Sequence, residues 1–236
     1  MTKKKKRRLK AGVIYLMITV CLVIAGISLW NIIMELQAQR QYRIELNRLQ
    51  QMYSEPEKVS LSSINSDYVG WIKIAGTQVD LPVVQTTNND KYLTINFEGE
   101  KSKYGTTFVD YRTDLENSED VVVIYSHHMK DGQMFADLLK YKNSDYLSEH
   151  KTVQFCRVDD CREYEIVAAL EVDLTLSDQF NYLTLLGNID RKGYFDTLKR
   201  QAVFYHVMDI DKPFLILSTC SYISSDARFA VFAVEK

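Results

Sequence analysis

Residues 11–34 run for 24 positions without one charged side chain, AGVIYLMITVCLVIAGISLWNIIM. As a helix, at about 1.5 Å per residue, this run is roughly 36 Å long, enough to cross a bilayer core of about 30 Å. It divides the chain, because whatever follows it must build a core of its own outside the bilayer. The preceding segment, MTKKKKRRLK, holds seven Lys or Arg and no acid. A basic flank stays in the cytoplasm, which puts the C-terminal bulk on the outer face. A cleaved signal peptide would have an apolar core of about 7–15 residues and a small-residue cleavage site. This run is longer, and Trp30-Asn31-Ile32-Ile33-Met34 offers no such site. A retained anchor is expected. Without those seven charges, 22 Lys and Arg face 31 Asp and Glu, about −9 for the remainder. The basic cluster needs no nucleic acid to explain it, and the outer part is no polyanion binder.

Four segments follow from this reading: a basic segment 1–10, the span 11–34, a juxtamembrane helix or linker 35–60, and an extracytoplasmic domain 61–236. Residues 35–57 are rich in helix formers, with apolar Leu36, Tyr42, Ile44, Leu46, Leu49, Met52 and Tyr53, and Pro56 ends the pattern. Two short strands flank the Ala75-Gly76-Thr77 turn, and residues 106–111 form another. DVVVIY at 120–125 has the composition of a buried strand that runs into Ser126-His127-His128. MFADLLKY at 134–141 reads as helical, 153–156 and 163–174 as strands, and 189–205 as an amphipathic helix. Two strands close the chain. About eight short strands with inserted helices predict a mostly β, barrel-like domain.

The chemistry gathers in PFLILSTCSYISSDAR, residues 213–228. A short apolar strand ends at Cys220, and eight residues later Arg228 opens the next apolar run. If the two strands pair as a hairpin, thiol and guanidinium lie at one end of the sheet. A thiolate is a strong nucleophile, and a nearby cation or imidazolium favours it; a small buried hydrophobe is the plainer role for a free cysteine. His127 and His128 also end a buried strand, and neighbours on a strand point to opposite faces. His150 reads as a solvated turn residue, and His206 as a partner for the last carbonyls of the preceding helix. Cys156 and Cys161 flank a turn and are either a local disulfide or two thiols. No second Cys or His pair with ligand spacing points to zinc or any other metal, and no cofactor is implied.

The order His, then Leu217-Ser218-Thr219-Cys220, then Arg228 resembles the sortases, and among them class B. Tyr68-Val69-Gly70-Trp71-Ile72-Lys73-Ile74, Leu81-Pro82-Val83-Val84-Gln85, Phe97-Glu98-Gly99, the block YSHHMKDGQMF at 125–135 and Ser218-Thr219-Cys220-Ser221-Tyr222 support it. The resemblance implies an eight-stranded sortase-like β-barrel behind an N-terminal helix and one transmembrane helix. It implies a transpeptidase on the outer face of a Gram-positive membrane that cleaves a C-terminal sorting motif after Thr. The partners would be surface proteins bearing that signal and a peptidoglycan amine. By position, Cys220 corresponds to the nucleophile, His127 to the general acid/base and Arg228 to the oxyanion or substrate clamp. His127 follows Tyr125-Ser126, where the family's pattern has Tyr-Gly. Ser218, Ser221, Tyr222 and Tyr182 are candidates for substrate binding, Thr219 and Asp226 for packing and a solvated turn. A papain-like peptidase that releases product to water would place its Cys before its His. A non-catalytic binding module would keep Cys220 in its core. A pilus-polymerising relative would carry a lid with an Asp-Pro pair, which this chain lacks.

Overall fold

The computed structural model describes residues 3–55, 60–116, 121–157, 160–173, 181–186, 190–220 and 227–236, with residues 3–11 and Cys220 represented by their backbone alone. Two compact units divide at Arg48 and Leu49. The first consists of most of α1 (Lys3–Ser54), one continuous helix that takes in both the 11–34 run and the following segment read as helical. Its side chains from Gly12 to Gln37 are exposed, and the helix contains a stretch long and apolar enough to cross a membrane.

The second unit comprises, after the last turns of α1, the short α2 (Leu61–Ile64), β1 (Tyr68–Ile74), β2 (Asp80–Val84), β3 (Thr107–Val109) and β4 (Val121–Tyr125). Then come α3 (Ser144–Glu149), β5 (Thr152–Cys156), β6 (Cys161–Asp173), α4 (Arg191–Gln201), β7 (Phe204–Tyr205), β8 (Phe214–Cys220) and β9 (Ala227–Glu235). Hydrogen bonding runs β5-β1-β2-β3-β4-β8-β9-β6, and β6 pairs back with β5, so eight strands close into a barrel with β7 added beside β6. Closure leaves the ring without an unpaired edge. The pairs β2–β3 and β4–β8 are parallel, and the other ring pairs are antiparallel.

The period-two pattern of the strands builds two cores. On β8 and β9, Leu215, Leu217, Phe229, Val231 and Ala233 are fully buried in one alternation. Phe214, Ile216, Ala230 and Phe232 take the other, and pack with Tyr194, Phe195 and Leu198 of α4 and with Tyr182 and Leu185 of a 3-10 turn. From the excursion between β6 and β8, the 182–186 turn and α4 therefore cover this face of the sheet. A further cluster joins Leu49, Leu61, Trp71, Tyr92, Phe97 and Phe108, with Tyr53 stacked on Trp71 at 4.4 Å.

The helical segment expected at 134–141 is a 3-10 helix over 136–142. Three expectations differ from the structure. The amphipathic segment ends at Gln201, and Phe204 and Tyr205 turn into a strand because Ala168 and Ala169 of β6 offer them ladder partners. His206 follows that strand, donates its backbone N–H to the Val167 carbonyl, and lies edge-on to Phe204, so it does not cap α4. His150 is packed and not merely solvated, with its Nδ1 at 2.8 Å from the Ala75 carbonyl and its ring against Tyr146. That ring occupies the space a side chain at Gly76 would fill, and Gly76 itself has φ +76°, so the turn both permits and requires glycine.

Cys156 and Cys161 form a disulfide across the β5–β6 hairpin. Arg157 N–H donates to the Asp160 carbonyl at 2.7 Å and closes the loop. The next pair outward, the two cysteines, is then non-hydrogen-bonded, the register at which opposite strands come closest. Because the closed loop is so short, the bond constrains the unfolded chain by only about 2 kcal/mol. A Cys156→Ser/Cys161→Ser variant is expected to lose no more than that in urea unfolding and to keep its native circular dichroism; loss of the fold would show the bond to be essential.

Candidate active site

Three segments converge at one end of the barrel. In the parallel β4–β8 pair, Tyr125 lies opposite Ser218, and Ser126 N–H continues the ladder to the Ser218 carbonyl at 3.2 Å. His127 therefore stands two residues past Tyr125 while Cys220 stands two past Ser218. In the antiparallel β8–β9 pair, Cys220 and Arg228 are direct register partners. The expectation that both lie at one end of a hairpin is met by the backbone. The cause is local: VVVIY and FLIL are apolar on both faces and are buried as central strands, which leaves the chemistry-bearing residues at their ends.

Ser126 occupies the position of the family's glycine without needing its conformational freedom, since Met134 alone among the described non-glycine residues has positive φ. Its hydroxyl shares a hydrogen bond with Thr107 Oγ1 at 3.0 Å, and Thr219 Oγ1 donates to its carbonyl at 2.8 Å. Thr219 is thus a buried tie between β8 and the chain leading to His127, in keeping with a packing role.

The His127 ring reaches the Leu93 carbonyl through Nε2 at 2.7 Å. A carbonyl oxygen only accepts, so Nε2 carries hydrogen, and in the neutral ring Nδ1 is the proton-free nitrogen. Phe135 N–H holds the His127 carbonyl at 2.9 Å. The Leu93 carbonyl is positioned by a tight passage. Thr106 N–H donates to the Tyr92 carbonyl, and Gly105, at φ +59°, lies so close to the Tyr92 and Leu93 carbonyls that a Cβ there would collide with them. His128 does not line the cleft; it pairs as an isolated bridge with Met134, and burial lowers its pKa, which favours the neutral ring.

A cleft of about 280 Å³ is bounded by Leu93, Thr106, Phe108, Tyr125, His127, Tyr182, Ser218 and Arg228, among others. Ser218 and Tyr182 are fully buried, and their hydroxyls meet at 2.6 Å in its wall. Arg228 is half-buried, and its Nη1 rests on the Ala227 carbonyl at 3.1 Å. Ser221, Tyr222 and Asp226 lie outside the described residues. A larger groove of about 640 Å³, lined by Tyr68, Gln85, Tyr111, Thr113 and others, has no His or Cys in its lining. Among the described residues, no three His, Cys, Asp or Glu side chains converge as metal ligands.

Sequence reading did not single out Asp110. It is fully buried beneath the cleft. Its Oδ1 accepts from Arg112 N–H at 2.9 Å and Nε at 2.8 Å, and its Oδ2 from Arg112 Nη2 at 2.7 Å, Asn89 Nδ2 at 3.0 Å and the Tyr125 hydroxyl at 2.9 Å. Burial acts to raise its pKa, but the hydrogen bonds from Arg112, Asn89 and Tyr125 outweigh it and leave the carboxyl below its ordinary value. Burial, followed by Tyr182 and Asp110, pushes the Tyr125 hydroxyl far above its usual value, so it remains a donor. The available signal was an acid at the end of an apolar strand, in FVDYR. The part played by Leu93 had no side-chain signal at all, because its carbonyl does the work.

The family model for the sortase domain matches residues 72–236. Sortase B of Listeria monocytogenes is 33% identical over 217 residues, covering 84% of this chain and 87% of that protein. A Staphylococcus aureus sortase B–substrate complex aligns with a TM-score of 0.71 and 28% identity over 84% of this chain and 97% of that one. A sortase B complexed with triglycine aligns with a TM-score of 0.70 and 28% identity over 84% of this chain and 98% of that one.

Proposed function

The chain belongs to the sortase family, within class B, and is a cysteine transpeptidase of the kind that anchors proteins to the cell wall; from that premise we propose how its residues divide the work and where it acts. Cys220 is the nucleophile, His127 the general acid/base and Arg228 the cation that stabilises the oxyanion or orients the peptide. The observation that carries this reading is the register, with Cys220 opposite Arg228 and His127 at the end of the neighbouring parallel strand.

The Cys220 thiolate attacks the carbonyl carbon of a threonine in a C-terminal sorting motif. The carbonyl oxygen takes the negative charge, and a fixed guanidinium that does not deprotonate is suited to hold it. The C–N bond then breaks as His127 gives its proton to the departing amine, leaving a thioester at Cys220. Because Nε2 is committed to Leu93, the exchanged proton sits on Nδ1. An incoming amine attacks the thioester, His127 takes its proton, and the C–S bond breaks to restore the thiolate. The related complexes with a substrate and with triglycine support a sorting peptide and an amine as the two partners. Ser218 and Tyr182 shape the cleft wall against the peptide, and Ser221 and Tyr222 bind it from the segment after Cys220.

The helix α1 anchors the enzyme, with residues 1–10 cytoplasmic, 11–34 crossing the membrane, 35–60 leading outward and 61–236 catalytic on the extracellular face. The apolar composition of the helix and its basic flank support this.

The test uses the full chain in detergent with a panel of fluorogenic pentapeptides ending Thr-Gly or Thr-Asn. Cleavage with an acyl adduct on Cys220 by mass spectrometry, absent in Cys220→Ala and His127→Ala, is the expected result. Cleavage that persists in Cys220→Ala, or an adduct on another residue, would overturn the assignment.

A further inference from the structure

Two arms of the cleft meet at one buried carboxylate. One arm is β4, which carries His127 and is tied to Asp110 by the Tyr125 hydroxyl, two residues before the histidine. The other is the 88–93 turn, which supplies the Leu93 carbonyl and is tied to Asp110 by Asn89. Asn89 holds its place twice, since its Oδ1 also accepts from Tyr111 N–H at 3.0 Å. The turn has its own internal ties, from Asn88 Oδ1 to the Asp90 and Lys91 N–H groups and from Leu93 N–H to the Asp90 carbonyl. Tyr92 and Lys91 pin its far side to Asp67. The distance from Asn89 to His127 Nε2 is thus spanned by a stiff segment with one fixed end at Asp110.

We infer that Asp110 is a positioning residue for His127, holding both the strand that carries the ring and the carbonyl that orients it. The inference rests on the assignment of His127 as the acid/base. Asp110 touches neither substrate nor histidine; it acts through Tyr125 and Asn89. Arg112 neutralises it, so its effect is geometric, not a field at the reacting atoms. A carboxamide does not substitute for it. Oδ2 receives three donors, from Arg112, Asn89 and Tyr125, and an asparagine must place its own donor on one of its two polar atoms. At the Oδ2 position the new NH2 group opposes Asn89, Tyr125 and Arg112, and at the Oδ1 position it opposes the two Arg112 donors there. Either orientation pushes the side chain out of the place from which it holds the arms. Small misplacements of an acid/base group are costly, about 100-fold for about 1 Å.

The experiment compares wild type, Asp110→Asn, Asn89→Ala and His127→Ala as full chains in detergent, by steady-state kinetics and by nitrogen NMR of 15N-histidine-labelled protein. His127→Ala identifies the His127 signals and tests the underlying reading: if it transpeptidates like wild type, that reading fails. Titrated to the neutral ring, wild-type His127 should show the tautomer protonated at Nε2. Asp110→Asn and Asn89→Ala should lower kcat about 10- to 100-fold with KM within about twofold, and mix the tautomers. Asn89→Ala cuts the turn's arm without burying a new group, so it decides the matter if Asp110→Asn does not fold. With His127→Ala inactive, a folded Asp110→Asn or Asn89→Ala that keeps the wild-type tautomer and kcat would overturn the inference and leave Asp110 a structural ion pair with Arg112.

Discussion

Replacing Arg228 by alanine is expected to lower kcat by about 10²–10³ while thermal unfolding stays close to wild type. Loss of a single stabilising donor to a developing oxyanion commonly costs about 3–4 kcal/mol of activation free energy, which is that factor. The side chain is half-buried and lines the cleft, at the second position of β9. Among the described residues no carboxylate forms an ion pair with it, so its removal strands no buried partner charge among them. Lysine in its place should restore only part of the rate, because a point charge on a flexible stem does not reproduce a planar fork with fixed N–H directions. Stopped-flow thioester formation and steady-state turnover with one fluorogenic peptide would separate the steps. If Arg228→Ala forms thioester at the wild-type rate, Arg228 does not stabilise the first oxyanion.

Replacing Phe232 by alanine should show the reverse pattern. The ring is fully buried, sits in the register of Ile216 on β8 and Ala168 on β6, and belongs to the cluster under α4. Truncating such a ring costs about 3–5 kcal/mol, the transfer free energy of the lost atoms plus the cavity left behind. For a domain of this size, that is roughly 6–20 °C in Tm. Phe232 lies four positions along β9 from Arg228, so the strand start that presents the guanidinium is preserved. Below the lowered Tm, kcat should remain within a few-fold of wild type. A fall in kcat comparable to that of Arg228→Ala, measured on fully folded protein, would mean that packing under α4 controls the site directly.

How much was legible in the chain varies by element, and the reason is physical. Residues 11–34 were readable as helix from the length and apolar composition of the run, and the helix there is continuous. The runs VVVIY and FLIL were readable as strands because consecutive apolar residues of that length and composition belong to buried strands. Phe204 and Tyr205 were misread as helix, since periodicity cannot see that β6 has two open ladder positions waiting for them. The joining of Cys156 and Cys161 depended on register, which the Arg157–Asp160 hydrogen bond decides.

The site divides in the same way. Cys220, His127 and Arg228 were singled out in the sequence by residue type and by the resemblance to the sortases, and the roles proposed for them rest on that and on their register. The sequence by itself also determined that the thiol and the guanidinium end neighbouring strands, since only eight residues separate them. Barrel closure decided the rest: it set β4 parallel to β8 and so brought a histidine 93 residues earlier in the chain to the same end. It also placed a backbone carbonyl, Leu93, against the ring, and buried Asp110 between the two arms of the cleft. A carbonyl has no residue type, and a buried carboxylate is stable only once its donors have been assembled around it, so neither role exists until the tertiary structure does.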